Sequence, residues 1–94
     1  MSASSNKQNL IDEVTQLRHD VDHIDESIGL LLTQRHHLAQ EIIKRKKTLG
    51  LSTFDPNREE EIILRLQEKF PDIPTEVLLD IYSRIFEWTK SSQS

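Results

Sequence analysis

The chain has 94 residues, 35% of them apolar and 30% charged, with a net charge of −4, two Gly, three Pro and no Cys. That length builds one core, and the absence of cysteine excludes a disulfide framework, a thiolate metal site and a cysteine nucleophile, which suits a reducing, cytoplasmic compartment. The acidic balance argues against a broad nucleic-acid surface, and no apolar run approaches the roughly 18–20 residues of a membrane span, so neither nucleic acid nor membrane is an expected partner.

Residues 1–8 are polar and aperiodic, without the apolar stretch of a signal peptide. They read as a disordered tail at the head of a single domain covering residues 1–94. From Leu10 the pattern changes. Leu10, Val14, Leu17, Val21, Ile24, Ile28, Leu31, Arg35, Leu38, Ile42, Arg45 and Leu49 are spaced alternately by four and three residues, and ten of these twelve positions are apolar. This is a heptad seam, and it predicts a first helix over residues 9–49, with Gly50 as its C′ stop. Gly29 lies off the stripe, at a cost of about 1 kcal/mol relative to Ala.

Asp55-Pro56 reads as an N-cap with proline at N1, opening a second helix with the apolar face Ile62, Ile63, Leu66 and Phe70. Pro71-Asp-Ile-Pro74 ends it. Thr75 is the expected cap of a third helix, striped by Leu78, Leu79, Ile81, Tyr82, Ile85, Phe86 and Trp88. The chain is therefore all-α, with one long and two shorter helices.

A 41-residue helix over residues 9–49 is about 60 Å long, whereas a compact globule of this size is only about 30 Å across. Half the seam would stand in water unless a second chain covered it, so a homodimer with paired long helices is expected. The alternative is a helix broken near Gly29 in a monomeric bundle. Arg35 interrupts the seam at a core position, where a cation needs an internal Glu or Asp partner or a route to the surface. Lys46 lies eleven residues on and only about 20° away in azimuth, with the small Ala39 between. Two cations facing a gap suggest an anion-binding pocket.

These residues resemble a known family. Leu17-Arg18-x6-Asp25 with Ile24, Gln34-Arg35-x10-Lys46, Asp55-x2-Arg58-Glu59 and Tyr82-x2-Ile85-x3-Thr89-x3-Gln93 are similar to the all-α chorismate mutases of the AroQ class, over residues 17–93. Thr89 stands where the family usually carries Ser, and the turn before the third helix is short. The resemblance implies an intertwined helical homodimer and an isomerase without cofactor or metal. Its reaction is the Claisen rearrangement of chorismate to prephenate, in the shikimate pathway toward phenylalanine and tyrosine. It also implies roles. Arg18, Arg35 and Arg58 would hold the substrate carboxylates, Lys46 and Gln93 would donate to the ether oxygen, Glu59 with backbone near Asp55 would accept from the ring hydroxyl, and Thr89 would bond a carboxylate.

Arg18 and Arg35 are seventeen residues apart, about 25 Å along one helix, so contact with one small substrate requires Arg18 from the other subunit. Two other readings stay open: an isochorismate-pyruvate lyase of the same fold, and a coiled-coil interaction module without chemistry. His19 and His23 have a zinc-compatible spacing but no evident third ligand, and they read as solvated side chains. Lys44-Arg45-Lys46-Lys47 complements the dipole at a helix C-terminus and needs no partner to explain it.

Overall fold

The computed structural model describes residues 3–92, which form three helices: α1 (Ala3–Thr48), α2 (Pro56–Lys69) and α3 (Thr75–Ser91). No strand occurs among the described residues. None of these helices is long and apolar enough to cross a membrane. The described residues fall into two units, divided between Arg35 and His36.

In the first unit, α1 starts at Ala3, six residues ahead of the expected Asn9. Once a helix is nucleated, each added residue gains a hydrogen bond at little further cost, and no Gly or Pro stands before Leu10 to stop it. Gln8 Nε2 donates to Asp12 Oδ1 at 3.0 Å within this added stretch. All side chains from Asn6 to Leu31 are exposed. The helix runs unbroken through Gly29, and a Cβ added there would meet nothing within 4 Å. Replacing Gly29 by Ala is expected to stabilise the protein by about 0.5–1 kcal/mol, read as a higher urea midpoint with unchanged slope. An unchanged or lower midpoint would show that this position needs glycine for some other reason.

The second unit holds the core. Ile43 of α1, Ile62 of α2, and Leu78 and Ile85 of α3 are the buried apolar side chains, each less than a tenth exposed. His36 stacks on Trp88 with ring centroids 3.7 Å apart and planes within 8° of parallel. Gln40 Nε2 donates to the Thr89 carbonyl at 3.0 Å, tying α1 to the last turns of α3.

Local signals set the helix ends. Gly50 has φ of +72°, Leu51 N–H donates to Lys46 O at 2.8 Å, and Gly50 N–H donates to Lys47 O at 3.1 Å. That pair of bonds is a Schellman motif, and glycine takes the left-handed position without a Cβ clash. Asp55 caps α2 as its sequence predicts, with Oδ1 accepting from Arg58 N–H at 3.1 Å. At α3 the expectation fails. Thr75 is the first helical residue, and Pro74 takes the cap position without a side-chain hydrogen bond. Proline's fixed φ is compatible with a non-helical entry residue, which leaves Thr75 free to start the turn.

The ten apolar seam residues from Leu10 to Leu49 are all exposed, between 45% for Val14 and 70% for Leu49.

Candidate functional site

Three chain segments converge in the second unit: the end of α1, the start of α2 and the end of α3. The Schellman turn and the short loop that follows bring Asp55 back beside α1. Lys46 Nζ lies 3.4 Å from Asp55 Oδ2, and the lysine side chain is 27% exposed. Asp55 thus uses one oxygen for the cap and the other for the lysine. Its pKa lies below the ordinary 3.8, first because the Arg58 N–H bonds the carboxylate; desolvation opposes this, and the hydrogen bond and charge of Lys46 lower it further.

A depressed carboxylate contributes stability above its unfolded-state pKa, and that contribution is lost as pH falls through the lower folded-state value. The parent protein should therefore lose stability on acidification below about pH 4. In Asp55→Asn, which keeps a capping side chain but cannot titrate, this component of the acid transition should be missing. Glu41 is shifted downward too, first by its hydrogen bond from Arg45, and it contributes equally to both proteins. Superimposable stability–pH curves for the two proteins would count against this account of Asp55.

One helical turn after Asp55, Glu59 points toward α3. Its Oε2 lies 2.9 Å from Lys90 Nζ, and the glutamate side chain is 29% exposed. The Lys90 ammonium also lies 5.7 Å from the centroid of the Phe54 ring. Thr89, adjacent in sequence, is half-buried, and its hydroxyl donates to Ile85 O at 3.0 Å. Glu59 and Lys90 line an open groove of about 570 Å³ with Ser83, Phe86, Glu87 and Ser91.

Of the candidate residues, the structure brings Lys46, Asp55, Glu59 and Thr89 to this junction. Arg58 belongs to the same turn of α2, but its guanidinium is directed to Glu61 at 2.8 Å on the exposed surface. Arg18 is exposed and Arg35 half-buried, both in the first unit. Gln93 lies outside the described residues. His19 and His23 are exposed, and no group of three His, Asp or Glu suited to a metal ion occurs among the described residues.

Two participants carry no sequence signal. Lys90 and Gln40 lie on no apolar stripe and in no recognisable motif, and only the packing of α3 against its neighbours reveals them. Chemically, the junction offers a cation and a carboxylate, each held by an opposite charge. Such a pair can donate to one oxygen of a bound molecule and accept from another.

A family model described as chorismate mutase type II matches residues 17–94. A chorismate mutase from Methanocaldococcus jannaschii is 28% identical over 86 residues, which is 89% of this chain and 87% of that protein. A bifunctional chorismate mutase/prephenate dehydratase from Aquifex aeolicus is 39% identical over 80 residues, 80% of this chain but 22% of that protein. A T-protein from Enterobacter agglomerans is 25% identical over 87 residues, 90% of this chain and 23% of that protein. The chain thus spans most of the first relative and less than a quarter of the other two. No solved structure matches it.

Proposed function

We infer that this chain, which belongs to the chorismate mutase type II family, is an isomerase that converts chorismate to prephenate. The observation that carries the reading within the structure is the junction itself, where Lys46 and Glu59 are held at the meeting point of three helices. The reaction is an intramolecular rearrangement, so the protein needs no nucleophile. It must hold a dianion in the compact conformer that brings the two reacting carbons together. It must also stabilise the negative charge that grows on the ether oxygen as the C–O bond breaks. A 10⁶-fold acceleration corresponds to about 8 kcal/mol, within reach of a few charge-assisted hydrogen bonds combined with orientation.

In this reading Lys46 donates to the ether oxygen, which becomes more negative in the transition state, so the interaction strengthens as the bond breaks. Glu59 accepts from the ring hydroxyl and fixes the ring's rotation. Asp55 positions Lys46 and the first turn of α2. Thr89 bonds a carboxylate, and Arg35, Arg58 and an Arg18 from a second subunit hold the two carboxylates. Gln93 gives the ether oxygen its second donor.

The second subunit follows from the exposed seam. Ten apolar side chains per chain are each about half exposed or more. Pairing two copies would cover twenty of them. At about 1 kcal/mol each, roughly half the value for complete burial, the gain of about 20 kcal/mol exceeds the roughly 4–15 kcal/mol cost of association. A homodimer with paired α1 helices is therefore the assembly we propose. A water-soluble dianionic substrate is in keeping with a cytoplasmic enzyme.

Incubation with chorismate and identification of the product tests the activity. Prephenate is the expected result. Pyruvate released from isochorismate would indicate the lyase instead, and inertness to both compounds would indicate an interaction module.

Gln93 provides a pH test of its own placement. A neutral amide donates across the working range, whereas a carboxylate facing the ether oxygen repels the developing charge. Gln93→Glu should be slow at neutral pH and recover on acidification as its carboxyl becomes protonated. A pH–rate profile parallel to the parent's would remove Gln93 from the ether oxygen.

A further inference from the structure

The acceptor that the proposed mechanism assigns to Glu59 faces an electrostatic difficulty. A site that binds a dianion would place a third negative charge, the Glu59 carboxylate, against its own substrate. The structure supplies a counter-charge. Lys90 Nζ contacts Glu59 Oε2 at 2.9 Å, leaving Oε1 with its lone pairs for another donor.

This ion pair differs from most others in the protein. Glu41–Arg45, Arg58–Glu61 and Arg84–Glu87 join residues one turn apart on a single helix. Lys90 and Glu59 join α3 to α2 across 31 positions. The carboxylate is the less exposed partner, at 29% against 46% for the lysine. The ammonium is steered further by the face of Phe54, a favourable cation–π arrangement. A flexible lysine held from two sides is oriented, and it in turn restricts the rotamers of Glu59.

We propose that Lys90 is a positioning residue for the rearrangement: its ammonium fixes the Glu59 carboxylate through Oε2 and neutralises it locally, so that Oε1 can accept from the substrate hydroxyl beside a dianion. This rests on the role assigned to Glu59. The ammonium acts through Glu59 and touches no reacting atom, so its effect must vanish when the Glu59 carboxylate is gone.

A double-mutant cycle reads this directly. Steady-state kinetics on chorismate would be measured for the parent, Lys90→Met, Glu59→Gln and the double variant, each checked for helicity and a cooperative melt. Lys90→Met should lower kcat/KM by about tenfold, mainly through kcat, and Lys90→Arg should restore most of it because the charge is kept. In the Glu59→Gln background, Lys90→Met should change kcat/KM by less than about twofold.

Equal losses in both backgrounds would overturn the proposal and make Lys90 independent of Glu59. A fully active Lys90→Met would overturn it as well. A fully active Glu59→Gln would be a different failure, since it would remove Glu59 from the proposed site and the Lys90 assignment along with it.

Discussion

Lys46→Ala is expected to fold and to lose about two to three powers of ten in kcat, with a smaller change in KM. Lys46 lies two residues before Thr48 at the end of α1, and its ion pair with Asp55 is partly exposed. Pairs of that kind contribute little to stability. The Schellman bond accepted by the Lys46 carbonyl uses backbone alone, so truncating the side chain leaves the turn intact. In the proposed mechanism what disappears is a donor to charge that exists fully only in the transition state, so the loss should fall on the chemical step. An unchanged kcat in a folded Lys46→Ala protein would remove Lys46 from the reaction.

The second large effect comes from subunit exchange. On one straight helix Arg18 and Arg35 are about 25 Å apart, beyond what two arginine side chains can bridge around a single substituted ring. If each site takes Arg35 from one chain and Arg18 from its partner, neither Arg18→Ala nor Arg35→Ala homodimers contain an intact site. Unfolding the two inactive proteins together and refolding them should restore activity. In a mixed dimer one site collects both defects and the other collects neither. Random assortment makes about half the dimers mixed, each with one working site, so the mixture should recover roughly a quarter of parent activity. Mixed dimers that are verified by mass and remain inactive would exclude the shared site.

Much of this architecture is legible in the residues because it is local. The alternating spacing from Leu10 to Leu49 marks α1, Asp55-Pro56 marks the entry to α2, and Gly50 marks the exit from α1. Each of these depends on neighbours within a turn or two. The errors at helix starts have the same origin. Ala3–Gln8 carry no apolar stripe, yet helix propagates through them, and Thr75 looks like a cap although Pro74 holds that position. Cap preference and propagation compete within fractions of a kcal/mol, so composition alone does not decide between them.

The site divides along the same line. Lys46, Asp55 and Glu59 stand out through family-like spacing, and Asp55 through its capping position too. The Lys90–Glu59 pair, the Gln40–Thr89 bond and the His36–Trp88 stack join positions 31 to 52 apart, and they exist only because α3 packs where it does. No periodicity encodes a contact of that kind. The exposed seam is the converse case. Its sequence spacing already calls for a cover, and its apolar side chains are all exposed.

Gly50 gives the proposed site an unexpected sensitivity to sequence drift. The carbonyl locked by the turn at Gly50 belongs to Lys46, so the backbone under the proposed ether-oxygen donor is anchored by a residue with no side chain. The loop beyond it, from Leu51 to Thr53, is largely exposed and can vary in composition. Gly50 cannot vary as freely, because a Cβ at φ of +72° strains the turn that holds the Lys46 carbonyl. A position that contacts no substrate would thus be under selection for catalysis, and tolerance maps of this chain should show one intolerant site embedded in a permissive loop.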